Sequence, residues 1–97
     1  MTNYEITFIV RPDMEEAEIN KTAEELKKVL TSKKAKVLSE KAMGQKELAY
    51  EIKKFNTGFY FLFEVEANKE AIDEFDHQVR INENLLRHLI VKVKENN

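Results

Sequence analysis

Two histidines, one dense set of carboxylates, two glycines and a scatter of cations are the residues here with any capacity for chemistry. His77 lies in the polar run Asp76-His77-Gln78, the setting of a solvated helix residue rather than a general base. His88 follows Arg87, and no second His or Cys stands at a metal-ligand spacing, so packing at an edge or interface is favoured over metal binding. Glu15, Glu16, Glu18, Glu24 and Glu25 are interleaved with lysines as on a solvated helix side, and nothing nearby helps them hold a cation. Gly44 and Gly58 cannot make a glycine-rich phosphate loop of any known spacing. No catalytic or metal-ligating residue, cofactor or small-molecule substrate is therefore expected.

Contact with another macromolecule is the chemistry left. Lys46, Arg80, Arg87 and Lys92 come from separate segments and could converge on phosphates at sheet edges and loops. Lys33, Lys34 and Lys36 have a prior role at a helix terminus, and Lys53 and Lys54 belong to a hairpin turn; these are secondary candidates. The run from Thr57 to Phe63 superficially resembles the aromatic strand of the RNA-recognition motif. Thr57 stands where that motif wants a cation, however, and Phe59, Phe61 and Phe63 run in phase with apolar Val65, which favours a core face over base stacking.

The elements that must position these residues follow from hydrophobic periodicity. Tyr4, Ile6, Phe8 and Val10 alternate as in a strand with one side on a core. Pro12 stops it, and Asp13 with Glu16 three positions on has the spacing of a capping box. Ile19, Ala23, Leu26 and Leu30, widened by Val29, make the apolar stripe of a helix closed by Lys33-Lys34-Ala35-Lys36. A long strand runs from Val37 to Ile52 with a bulge or bend at Gly44. Phe55-Asn56-Thr57-Gly58 reads as the turn into a strand carrying Phe59, Phe61, Phe63 and Val65. Asn68 caps a second helix with Ile72, Phe75 and Val79 on one side, Asn82-Glu83-Asn84 turns the chain, and a last strand contains Leu89, Val91 and Val93. The order βαββαβ predicts an α+β, ferredoxin-like plait over residues 1–97, a single domain: a four-stranded antiparallel sheet with two helices on one face.

The other sheet face would be bare. On the expected parity it carries Ile9, Leu62 and Ile90, with Tyr50 alongside, and a half-apolar bare face is commonly a docking surface. The alternation in the last strand leaves open whether Ile90 or its neighbours Leu89 and Val91 point inward. At 97 residues there is room for one core, and 16 Lys+Arg against 18 Asp+Glu give a net charge of −2. That balance is unusual for a protein whose main ligand is a phosphate backbone, so nucleic-acid binding would need a local basic patch or a helper protein. Absent cysteine and a polar–apolar alternating start fit a soluble protein of the reducing cytoplasm, with no membrane partner.

The segment Gly44-Gln45-Lys46-Glu47-Leu48-Ala49-Tyr50, followed by Asn56-Thr57-Gly58-Phe59-Tyr60 and by Arg80-Ile81-Asn82 and Leu85-Leu86-Arg87, resembles the signature of the sixth protein of the bacterial small ribosomal subunit. The start, Tyr4-Glu5-Ile6 through Arg11-Pro12-Asp13, fits as well, so the resemblance spans nearly the whole chain. It implies a non-catalytic protein of the platform that binds small-subunit ribosomal RNA in its central domain together with the eighteenth small-subunit protein, and that is a monomer when isolated. Family members typically show glycine, two or three basic residues and then Leu-Ala-Tyr. This chain departs at Gln45 and Glu47, and at Thr2, where a basic residue is common. RNA contact is accordingly carried first onto Arg80 and Arg87, then Lys46 and Lys92. The competing expectations are a ligand-sensing or acylphosphatase-like plait, whose hallmark is an arginine beside an anion-binding loop, and a homodimeric scaffold.

Overall fold

The computed structural model describes residues 2–93. Strand β1 (Thr2–Val10), helix α1 (Glu16–Ser32), strands β2 (Lys36–Ile52) and β3 (Phe55–Ala67), helix α2 (Lys69–Ile81) and strand β4 (Leu85–Lys92) follow in the expected order. The sheet is antiparallel with strand order β2-β3-β1-β4, and the predicted ferredoxin-like fold is the one formed. Ile6, Phe8 and Val10 of β1 meet Phe61, Phe63 and Val65 of β3 and the stripes of both helices in one buried cluster. Phe8 stacks on Phe61 at 5.2 Å and meets Phe63 edge-on at 5.0 Å, so the aromatic face of β3 is core and not a base-stacking platform. Thr22, the one buried polar side chain among the described residues, donates from Oγ1 to the Glu18 carbonyl and receives the Asn84 amide, so its burial leaves no hydrogen bond unmade.

Local chemistry sets the helix ends, in one case against expectation. The Asn68 side chain accepts from the Ala71 amide at 2.9 Å and caps α2 as predicted. Asp13 does not cap α1. Its carboxylate is held by both Nε and NH2 nitrogens of Arg11 (2.8 and 2.9 Å), a bidentate charged pair that outcompetes a single bond to a backbone amide, and Glu15 takes the N-cap position without a side-chain cap. At the other end of α1 the Ala35 amide donates to the Leu30 carbonyl and the Lys34 amide to that of Thr31, a Schellman closure with Lys34 at φ 67°. A β-carbon is strained in this left-handed position. Lys34→Gly is therefore expected to raise stability by about 1 kcal/mol, read as a higher urea midpoint at unchanged slope.

The β2–β3 hairpin turns at Lys53 and Lys54, as expected of those lysines, but Phe55-Asn56-Thr57-Gly58, also read as turn, belongs to β3. Ile52 pairs with Phe55, and the two-residue loop is Lys53-Lys54, both with positive φ (50° and 70°), as a type I′ turn requires. Gly58 is not in the turn but inside β3, opposite Lys46. It is glycine because the chain there lies against Ile9: a β-carbon would overlap Ile9 Cγ2 and stand 3.5 Å from Leu86 Cδ1. The predicted irregularity in β2 is present, with Gly44 at φ 81° and register shifts between Val37 and Ser39 and between Ala42 and Gly44.

Candidate nucleic-acid and partner interface

Pairing register decides which side chains reach the bare sheet face, since successive residues alternate between faces. Three rows cross it from β2 to β4: Ser39, Glu64, Glu5, Val91; then Lys41, Leu62, Thr7, Leu89; then Gly44, Tyr60, Ile9, Arg87. Helices α1 and α2 pack on the opposite face. The rows differ in chemistry. One end of the face is basic and aromatic; towards the other it is acidic in the middle and apolar along β4.

At the basic end, β2 and β3 extend beyond the rest of the sheet and their tip returns toward the start of β4. Lys53 Nζ donates to the Leu85 carbonyl at 3.4 Å, and the Arg87 guanidinium lies over the Tyr50 ring at 5.2 Å. Lys46 Nζ stands 5.8 Å from the centre of the Tyr60 ring. Each cation thus has an aromatic seat that fixes its direction and leaves its donors free for an anion. Arg11 beside this region is different. The hydrogen bonds to Asp13 hold the Arg11 guanidinium above its ordinary pKa and the Asp13 carboxyl below its own, so Arg11 is engaged and does not form the anion loop of an acylphosphatase-like site.

The four expected phosphate-contacting cations do not converge. Lys46 and Arg87 share the bare face, whereas Arg80 lies on α2 with Nε 2.9 Å from Asp76 Oδ2. Lys92 opposes Tyr4 and so faces the helix-bearing side. Asp76 also accepts or shares a hydrogen bond with His88 Nε2 at 2.8 Å, which ties α2 to β4 and gives His88 a packing role.

The expected parity of the bare face needs two corrections. Ile90 opposes Ile6 and packs against the core, so Leu89 and Val91, 61% and 46% exposed, take the bare face in its place. Apolar residues on both parities of β4 hid this in the sequence; only the register with β1 resolves it. Ile9 does lie on that face, yet it is buried, because the Gly58 backbone lies against it. Leu62, half-buried, and Tyr50, 57% exposed, are accessible there. A shallow groove of about 410 Å³ runs between Thr7, Ile9, Arg87, His88 and Leu89. Among the described residues no three potential metal ligands come together, and no helix is long and apolar enough to cross a membrane.

This arrangement has known counterparts. Residues 3–92 match the family model of ribosomal protein S6. The crystal structure of 30S ribosomal protein S6 from Thermotoga maritima superimposes with a TM-score of 0.91, covering 95% of this chain and 87% of that one at 29% sequence identity. A match over almost every described residue, together with that superposition, places this chain in the ribosomal protein S6 family, structural and non-catalytic proteins of the small ribosomal subunit.

Proposed function

We propose that this protein binds small-subunit ribosomal RNA in the central domain, on the platform, as a monomer that joins the eighteenth small-subunit protein, and that the pair recognises the RNA through a joint surface. The observation that carries this reading is the bare sheet face with Lys46 and Arg87 set over tyrosine rings at one end. Two seated cations on a chain of net charge −2 give weak attraction to a phosphate backbone. A basic partner docked on the same face supplies the rest of the electrostatics. The protein makes and breaks no bond; its contact free energy selects one conformation of the RNA junction. Titration of the RNA junction tests this: binding by the isolated chain is expected to be weak and to tighten at least tenfold with the partner present. Tight binding that the partner leaves unchanged would overturn it.

Arg87 gives a narrower test. Arg87→Ala is expected to weaken junction binding about tenfold and to reduce the salt slope by about 0.9, the share of one phosphate contact. Folding stability should change by no more than about 1 kcal/mol, since the lost contact with exposed Tyr50 is a surface one. Filter binding at two salt concentrations and a thermal melt check both halves. A large loss of stability at constant RNA affinity would make Arg87 a structural residue.

A further inference from the structure

Past its last pair with β1, Phe59 opposite Val10, the β2–β3 hairpin continues as an arm, residues 46–58, whose ladder runs only between its own two strands. None of these residues adds a side chain to the buried cluster. The approach of Gly58 to Ile9 fixes the root of the arm. Farther out, three cations join it to the body of the fold: Arg87 over Tyr50, Lys53 on the Leu85 carbonyl, and Arg11, whose Cζ lies 5.3 Å from the centre of the Phe55 ring. Phe55 is in phase with the core-facing Phe59 and Phe61, so Arg11 grips the arm from the helix-bearing side while Arg87 grips it from the bare face.

The Arg11 grip is braced from several directions. Its guanidinium plane is held by both Asp13 oxygens, and its amide donates to the Asn84 carbonyl at 2.9 Å. Pro12 between the charged pair fixes its own φ and keeps Arg11 extended, which stiffens the link. A guanidinium can stack flat on a ring while its edge binds a carboxylate; the compact ammonium of a lysine cannot do both. Phe55 pairs with Ile52, and Tyr50 stands two residues before Ile52, so the height of Phe55 sets that of Tyr50.

We infer that Arg11 is a positioning residue for RNA binding: it contacts no phosphate, and by stacking on Phe55 it holds the hairpin arm where Tyr50 seats Arg87. Asp13 completes the device, because it fixes the guanidinium plane and satisfies a charge that RNA would otherwise draw away. The consequence for RNA rests on the proposed function; the grip on the arm belongs to the free protein.

The grip is read by NMR in the free full-length chain, where the Tyr50 ring current displaces the Arg87 Nε–Hε resonance and Tyr50→Leu gives the undisplaced reference. Arg11→Met and Arg11→Lys are each expected to remove most of that displacement while melting within about 3 °C of wild type. Lys21→Met, on α1, is the control and should leave the resonance in place. With the eighteenth small-subunit protein present, junction binding should weaken about fivefold in both Arg11 variants at an unchanged salt slope, unlike Arg87→Ala. Asp13→Asn should also weaken binding without steepening the slope. A wild-type Arg87 resonance in the Arg11 variants, or a displaced resonance with wild-type junction affinity, would overturn the inference and leave the proposed function standing. So would a slope reduced by about 0.9 in Arg11→Met, or tighter binding with a steeper slope in Asp13→Asn, since either makes Arg11 a phosphate ligand. Failure of the unaltered chain to bind the junction with its partner would overturn the proposed function and the role of Arg11 in it together.

Discussion

Phe8→Ala is expected to destabilise the protein by about 4 kcal/mol, a loss that lowers the melting temperature by roughly 20 °C. Phe8 is fully buried at the centre of the sheet and touches both aromatic neighbours from β3, one stacked and one edge-on. Truncation removes the transfer free energy of the ring, leaves a cavity and breaks two ring pairs, each about 0.5–1.5 kcal/mol beyond its burial. The surroundings have little freedom to collapse, because Phe8 sits in a central strand paired on both sides. Against a total stability on the order of 5–15 kcal/mol for a domain this size, such a loss leaves a large unfolded fraction at growth temperature. Urea unfolding measures it, with Phe8→Leu as a milder companion expected to cost no more than about 1.5 kcal/mol. A loss below 2 kcal/mol for the alanine variant would show that the core closes over the gap.

The parts of this fold that were legible in the sequence are those decided by neighbours in the chain. Strand β1 declares itself because Ile6, Phe8 and Val10 need a dry side; Asn68 does so because its bond to Ala71 spans three residues. Asp13 had the same local credentials and failed, since Arg11, two residues earlier, offers a stronger partner than a backbone amide. The hairpin turn was legible only in part: Lys53 and Lys54 were expected in it, but so were the four residues after them. Asn56-Thr57-Gly58 has turn composition, yet Gly58 answers a packing demand set by Ile9, and the turn closes on two lysines held in left-handed conformations that their residue type does not favour.

Less of the candidate site was legible, because faces are set by register and not by composition. Ile90 and Leu89 are equally apolar, and a one-residue change of register would exchange them. The facing of Ile90 toward the core follows from its pairing with Ile6. Likewise Arg80 and Arg87 both fit the family pattern, yet Asp76 binds the first to the helix side while Tyr50 supports the second on the bare face. The opposition of Glu5 and Glu64 is entirely a product of β1–β3 pairing, so the division of the face into acidic and basic ends had no sequence signal beyond the low overall charge.

Gly58→Ala should cost about 3 kcal/mol although it adds a single methyl group. The residue is buried, and the new β-carbon would overlap Ile9 Cγ2. That neighbour does not yield cheaply. Ile9 is β-branched, stiff at its first torsion, and set in a strand paired on both sides. Relief therefore requires the hairpin arm to lift from β1, and that movement reaches the functional end of the sheet: Lys46 pairs with Gly58, and the same arm carries Tyr50 to Arg87. Ile9→Ala removes the colliding methyl, so combining the two substitutions should cost less than their sum by at least about 1 kcal/mol. Urea unfolding of the two single variants and the double variant measures this coupling, and strict additivity would show that the strain lies elsewhere. Junction binding by the folded fraction should fall in Gly58→Ala and recover in the double variant, because what positions the two seated cations is the close passage of a bare backbone over Ile9.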